Sequence, residues 1–367
     1  MGDYGKVVTG NTPPTKDVEN YEDGTYLWAS PADLGTIKSI TETKTKLSSK
    51  GFSKTRALPR GSILVTCIGS TIGKTGMATK EMSTNQQINS IVVNKDNDNE
   101  FVYYAIQSAF PRYLSSIAVQ AVPIISKSGF ELLPNKRPCL QEQKKIGNFL
   151  SLLDERISTQ TKIIDKLQTL IKGLSNKLLN TEVGMPIRLG TVLNERSERT
   201  KVNNQYEVLS STVIGLFSQR EYFSKDIASE NNIGYKIIRL HDVVLSPQNL
   251  WMGNINYNDK FNIGIVSPSY KIFSIVEGYD KQYIAALLKS HRALYNYMLV
   301  SEQGASVVRR NLNSEAFEQL VFKIPPISIQ RKVGNTIASL NCRLKIENMI
   351  KETYQSQKQY LLRQMFI

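Results

Sequence analysis

The sequence predicts an α+β protein: two mixed α/β domains, each followed by a long helix, the two helices pairing as an antiparallel coiled coil with pseudo-twofold symmetry. Three observations carry this. The chain of 367 residues repeats itself in order over nearly its whole length. The first part of each repeat consists of short β-branched runs punctuated by Gly, Pro, Asn and Asp, the pattern of strands and loops. The second part spaces its apolar residues alternately four and three apart, the pattern of a helix packed along a seam.

The repeat is found by reading the chain against itself. Tyr26 to Gly35 (YLWASPADLG) is answered by Tyr206 to Gly215 (YEVLSSTVIG), each opening on Tyr, with Ser fifth and Gly last. The same offset carries Ser62–Thr66 (SILVT) onto Asp242–Ser246 (DVVLS), Gly73 onto Gly253, and Tyr103 and Ala105 onto Tyr283 and Ala285. Further on, Gln143–Asn148 (QKKIGN) matches Gln330–Asn335 (QRKVGN), with Pro138 on Pro325, Leu153 on Leu340 and Arg156 on Arg343; at the front, Gly2 pairs with Gly190. The small changes of offset fit loop insertions. The division that follows is a domain over 1–137, a helical region over 138–184, a second domain over 185–325 and a second helical region over 326–367.

Within the domains, Ile63-Leu64-Val65 and Val243-Val244-Leu245 read as strands, and helices are expected at Glu100–Ser116 and Asp280–Leu299. After Pro138 the seam runs through Ile146, Leu150, Leu153, Ile157, Ile164, Leu167, Ile171, Leu174 and Leu178, with Gln160 its one polar member. Gln141 to Asn180 contains no Pro, so a helix of roughly 60 Å is expected at 1.5 Å per residue. The second copy starts in register with Val333, Ile337, Leu340 and Leu344. Glu347 and Lys351 then occupy the seam, and Ile350, Tyr354, Leu361 and Met365 suggest a shifted stripe. The expected helix-pair interface is Ile146, Leu150, Leu153, Ile157 and Leu167 against Val333, Ile337, Leu340 and Leu344.

Composition narrows the function. Lys and Arg number 46 against 32 Asp and Glu, a formal charge of +14, and such an excess concentrates polyanions. No apolar run reaches the length of a transmembrane helix, and the N-terminus lacks the pattern of a secretory signal. Cys67, Cys139 and Cys342 are too scattered for a disulfide framework or a zinc site. A cytoplasmic protein is expected.

Catalytic motifs are sought and not found. Gly69–Thr75 (GSTIGKT) resembles a phosphate-binding loop but has one residue too few before its Gly-Lys pair, and no helix pattern follows it. Ser267-Pro268-Ser269-Tyr270 departs from an amino-methyltransferase tetrapeptide. His241 and His291 are the only histidines and do not form a metal pair, and Cys67 lies in an apolar strand. The loops are better supplied for recognition, since amides pair with adenine edges and Arg or Lys with guanine or phosphate. In the first domain these are Thr12, Thr15 and Lys16; Lys50, Lys54, Arg56 and Arg60; Ser70, Thr71 and Lys74; Asn85, Gln86 and Gln87; and Lys127 between Ser126 and Ser128. In the second they are Ser211, Gln248, Asn249, Trp251 and Asn254, with Arg309, Arg310 and Asn311 at the place of Ser126 to Ser128.

Together, TGNTPPTK, YLWASPADLG, LPRGSILVTCIGSTIGKTGMA, TNQQI, RLGTVL and the Pro-x-x-x-x-Gln-x-x-Ile/Val-Gly opening of each helix resemble the specificity subunit of Type I restriction-modification enzymes. Members of that family often carry a longer stretch before the first Leu-Gly than the Met1-Gly2 found here. The resemblance implies that each globular part is a target recognition domain reading one half of a split site on double-stranded DNA. It implies that the helices set the separation of the halves and dock two methyltransferase subunits. Restriction subunits would complete the assembly. S-adenosylmethionine, ATP and Mg would be held by those partners, and this chain would be non-catalytic, with no cofactor of its own. The dissimilarity of the two domains implies an asymmetric bipartite site. The competing readings are a stand-alone DNA-binding or regulatory protein, a nucleotide-dependent enzyme built on Gly73-Lys74-Thr75, and a coiled-coil scaffold.

Overall fold

The computed structural model describes residues 1–35, 37–116, 124–180, 183–222, 231–303 and 310–366. It divides into two compact units, Met1–Thr161 with Met349–Ile367, and Lys162–Asn348. The cut falls inside the two long helices rather than at the ends of the globular domains.

In the first unit, strands β1 (Gly5–Thr9), β2 (Ile63–Thr66), β3 (Thr75–Ala78) and β4 (Ile88–Val93) form a sheet in the order β1-β4-β2-β3, with the short strand Ser39–Ile40 added beyond β3. The four named strands pair antiparallel, with Ile63 opposite both Ile91 and Met77, while Ser39–Ile40 pairs parallel with β3. Every residue of β2 is buried, because both faces are covered. Ile63 and Val65 enter the core built around helix α1 (Asn99–Ser116), while Leu64 enters a second core with Leu27, Leu34 and Ile40. Burying each such side chain contributes roughly 1.5–3 kcal/mol.

The second unit repeats this frame. Strands β5 (Leu193–Arg196), β6 (Val243–Leu245), β7 (Ile255–Tyr257) and β8 (Lys271–Ile275) run in the order β5-β8-β6-β7, the order of their counterparts. Val243 and Leu245 again face one core and Val244 another. The helix expected over Asp280–Leu299 is two helices, α3 (Lys281–Leu288) and α4 (His291–Leu299). The break is made by Ser290, whose side chain accepts from the Ala293 N–H and so starts a new helix.

The long helices are α2 (Leu140–Leu179) and α5 (Ile327–Met365). Their shared opening motif acts as a joint. Gln143, almost fully buried, accepts from the Asp98 N–H (3.0 Å) and donates to the Pro138 carbonyl (2.9 Å). Gln330 does the same with Asp280 (3.0 Å) and Pro325 (2.8 Å). Asp98 and Asp280 in turn cap the neighbouring helices at the Phe101 and Tyr283 N–H groups. Gly147 and Gly334 lie directly against those same turns, close enough that a Cβ would overlap them. This geometry corrects the repeat: the counterpart of Tyr283 is Phe101, not Tyr103, since the caps fix the equivalence.

The seam of α2 is buried or half-buried at Ile146, Leu150, Leu153, Ile157, Gln160, Ile164, Leu167, Ile171, Leu174 and Leu178. In the first unit it meets the end of α5 in reverse order: Ile146 shares a cleft with Met365 and Phe366, and Asp154 pairs with Lys358. In the second unit Leu178 and Leu179 share a core with Val333 and Ile337. The stripe of α5 does not shift after Leu344, contrary to expectation. Glu347 is 3% exposed and ion-paired with Arg343, and the original register continues half-buried through Lys351, Tyr354, Lys358 and Leu361. A polar residue that brings its own partner keeps the register that an apolar residue would.

A polar clasp ties the first domain to both helices. The Tyr104 hydroxyl donates to Asp154 (2.6 Å), which also accepts from Lys358 (2.6 Å). Lys38 donates to Glu100 (2.8 Å), Ser151 (2.9 Å) and the Tyr104 oxygen (3.3 Å). Both ammonium groups stand over the Tyr104 ring, at 5.4 and 5.3 Å. Burial, joined by the hydrogen bond to Asp154, holds the Tyr104 phenol far above its usual range, so it remains a donor. At the equivalent places the second unit has Gln282, Ala286, Ala338 and Asn341, which line an open cleft of about 660 Å³.

Candidate nucleic-acid interface

The loop after the second sheet strand shares a closing bond and a glycine between the units, the Ser246 N–H donating to the Asn254 carbonyl (3.0 Å) where the first unit has Thr66 and Lys74. In the first, the Gly73 N–H donates to Thr66 (2.9 Å) and the Thr66 N–H to Lys74 (2.9 Å), so Gly73-Lys74-Thr75 leads straight into β3. No helix opens there, and the phosphate-loop reading fails on that ground. In the second, a 3₁₀ turn at Leu250–Met252 ends on Gly253. Gly73 and Gly253 both have φ +91°, where side chains are strained, and a Cβ would strike Phe110 in one unit and Leu294 in the other. The loop frame is duplicated down to a dihedral angle; its cargo is not.

Hydrogen bonds knit the first unit's candidate segments into one surface. The Asn11 side chain accepts from the Arg56 N–H (3.0 Å) and donates to the Lys54 carbonyl (2.9 Å), while the Asn11 backbone carbonyl accepts from the Trp28 indole (3.1 Å). Arg56 donates from its guanidinium to the Thr9 carbonyl (2.7 Å), and the Thr12 hydroxyl donates to Gln86. The amide run joins the loop after β2 through the Cys67 N–H and the Gln87 carbonyl (2.8 Å), and Ile125 joins it through the Cys67 carbonyl (2.8 Å). Lys16, Lys54, Arg56, Ser70, Gln86 and Lys127 are exposed; Thr12, Thr71, Lys74 and Gln87 are half-buried.

Two candidates, Asn85 and Lys54, are occupied otherwise. Asn85 is 8% exposed and donates to Gln87 (3.0 Å), so it shapes the amide loop from beneath. Lys54 is bound to Asp17 (3.0 Å) and Asn20 (2.8 Å), and its hydrogen bond holds the Asp17 carboxyl below the usual range. Lys127 stands 3.7 Å from Glu131, a loose exposed pair that leaves it available.

In the second unit Gln248 is exposed, and Asn249, Trp251 and Arg310 are half-buried. Two segments far apart in sequence meet here: the Arg310 N–H donates to the Gln248 carbonyl (3.1 Å), and the guanidinium carbon lies 4.4 Å from the Trp251 ring centre. Ser211 and Asn254 are removed from the accessible set. Both are 4% exposed, and they bond each other through the Ser211 hydroxyl (2.7 Å) and the Asn254 amide (3.0 Å), with Asn256 donating to the same hydroxyl (2.7 Å). They form a buried polar bracket under the loop. Arg309 lies outside the described residues. Sequence reading passed over Asn11, the knot of the first surface, although it stands inside the TGNTPPTK motif; it also missed Asn256, which no local signal marks.

Among the described residues no group of His, Cys, Asp and Glu is arranged to hold a metal ion, and no helix is long and apolar enough to cross a membrane.

Comparison with known proteins agrees with this architecture. The family profile of the Type I restriction modification DNA specificity domain matches residues 1–169. The Type I restriction enzyme HindI specificity subunit of Haemophilus influenzae is 31% identical over 193 residues, 50% of this chain and 40% of that one. The MjaIX specificity subunit of Methanocaldococcus jannaschii is 28% identical over 174 residues, 45% of this chain and 40% of that one. The matched region is thus 40% of each relative's own length. In fold, the crystal structure of the S subunit of a Type I restriction-modification system from M. genitalium covers 99% of this chain and 93% of that one, with a TM-score of 0.61 at 16% identity. Residues 1–169 thus match the profile of the Type I restriction modification DNA specificity domain, and 99% of the chain shares the fold of the M. genitalium S subunit.

Proposed function

We propose that the chain is the DNA-recognition subunit of a Type I restriction-modification assembly, with each unit's loop surface reading one half of an asymmetric, two-part site. The observation that carries this is the duplicated frame with unlike cargo. Gly73 and Gly253 close the same loop at the same φ of +91°, yet one loop presents Ser70, Thr71 and Lys74 and the other Gln248, Asn249 and Trp251. A reader of two different half-sites needs the same scaffold and different side chains. Exposed Lys16 and Arg56 would neutralise phosphates and fix register, while Gln86, Gln248 and Asn249 would meet base edges.

The helices would hold the halves at a set spacing and dock two methyltransferase subunits. Exposed Phe149, Leu152 and Leu170 on α2, and Ile346 and Met349 on α5, supply apolar contact area for such partners. Methylation of adenine with S-adenosylmethionine, and any ATP- and Mg-dependent translocation and cleavage by restriction subunits, would belong to those partners, in the cytoplasm. This chain would contribute recognition and no cofactor.

The test is methylome sequencing of a host expressing this chain with its methyltransferase partner. A split, non-palindromic methylated motif that disappears when the chain is deleted is expected. Methylation that is unchanged by the deletion would overturn the proposal.

A further inference from the structure

The stack of Arg310 on Trp251 has no counterpart in the first unit, where Thr71 stands at the place of Trp251 and Ser126 to Ser128 at the place of Arg309 to Asn311. Its construction is rigid from below. Leu250, 0% exposed, anchors the turn that carries Trp251, and the Ser211–Asn254–Asn256 bracket holds the loop. Arg310 is fixed by its backbone, pairing antiparallel with Gln303 and donating to the Gln248 carbonyl. Its guanidinium forms no ion pair among the described residues, and its Nε is buried without a hydrogen-bond partner. A guanidinium stacked on an aromatic face and left without a carboxylate is a planar fork of donors whose orientation is already set. The group that matches such a fork on DNA is the O6/N7 edge of guanine, which takes two parallel hydrogen bonds.

We infer that Arg310, oriented by Trp251, is the guanine-reading residue of the second half-site. The inference rests on the proposed DNA-recognition role and deepens it. Arg310 is the specificity residue; Trp251 acts through it as a positioning residue. The first unit, which lacks the stack, does not read guanine by this device.

The experiment is methylome sequencing of cells expressing the full assembly with the native chain, Arg310→Lys, Arg310→Ala, Trp251→Ala or Trp251→Phe. The native chain gives a motif with a G·C pair in its second half. Arg310→Lys keeps the charge but loses the fork, so preference for that one pair falls roughly 5- to 150-fold. Arg310→Ala and Trp251→Ala relax the same position, Trp251→Phe largely retains it, and every other position stays as it was. Purified variants with a native thermal midpoint exclude misfolding as the cause. A native motif without a G·C pair in the second half overturns the inference. So does an Arg310→Lys variant with an unaltered motif, or an Arg310→Ala variant that only weakens methylation evenly, the mark of a phosphate contact. These outcomes leave a split motif in place and so differ from failure of the recognition role itself, in which methylation would not depend on the chain.

Discussion

Gly147 and Gly173 lie in the same helix, and the same substitution has opposite consequences at the two places. At Gly147 a Cβ would come within 2.6 Å of the Asp98 carboxylate and 2.8 Å of the Phe101 backbone nitrogen. The second contact cannot relax freely, because that N–H is held by Asp98 at 2.9 Å in the cap of α1. Forcing a methyl group into such a joint costs about 1–3 kcal/mol. Alanine also gains about 1 kcal/mol over glycine in a helix interior, so Gly147→Ala is expected to be neutral to destabilising by about 2 kcal/mol. Around Gly173 nothing lies within 4 Å, and Gly173→Ala receives the helix gain alone. The propensity term is common to both variants and cancels between them, leaving the steric term of about 1–3 kcal/mol as their difference. The assay is thermal unfolding followed by circular dichroism, where about 2–4 °C per kcal/mol is expected for a domain of this size. Gly173→Ala should melt above the native chain and Gly147→Ala below Gly173→Ala. Equal midpoints, or the reverse order, would refute the reading of the Gln–Gly motif as a packed joint.

Tyr104→Phe removes the donor to Asp154 and should destabilise the first unit by about 1.5–3 kcal/mol, read by urea denaturation, because the lost bond is to a charged acceptor. A one-heptad insertion at matched places in α2 and α5 keeps the seam in register and should lengthen the gap between half-sites while leaving both unchanged; methylome sequencing reads the motif, and altered half-sites would sink the ruler idea. Exchange of Tyr26 to Leu133 for the same segment of another specificity subunit should change one half of the motif only, by the same readout. DNA affinity of the assembled complex should fall steeply with salt, and Arg56→Ala should reduce the slope of log affinity against log salt by about 1.

The parts of the fold that were legible in the sequence are those with a period. The α2 seam could be traced because its alternation of four and three admits one face, and the strands because Ile63-Leu64-Val65 and its counterpart are unbroken apolar runs. Gly73 and Gly253 were matched because only glycine readily adopts the turn they close. What escaped has no period. Ser290 breaks a helix with neither Gly nor Pro beside it, since the cap is a hydroxyl that reads like any surface serine. The identity of Tyr103 and Tyr283 outweighed the cap geometry that makes Phe101 the true equivalent. In the candidate site, residue type was informative and depth was not. Asn254 and Asn249 are the same amide a few positions apart, yet one is buried in a bracket and the other reaches the surface. The encounter of Arg310 with Trp251 depends on a long-range contact that spacing does not encode.

The clasp around Tyr104 bears on how such a chain can change its target over time. Lys38, Glu100 and Tyr104 lie inside the segment that a domain exchange would replace, whereas Ser151, Asp154 and Lys358 stay behind on the helices. An incoming domain lacking the matching hydroxyl and ammonium would leave Asp154 and Lys358 without half of their network. The second joint has no such clasp at the equivalent places, where Gln282, Ala286, Ala338 and Asn341 are neutral, although Lys289 and Lys345 border the same cleft. The two units therefore differ in heritable compatibility: recombination at the first domain must also match a charged clasp that the second lacks at the equivalent places.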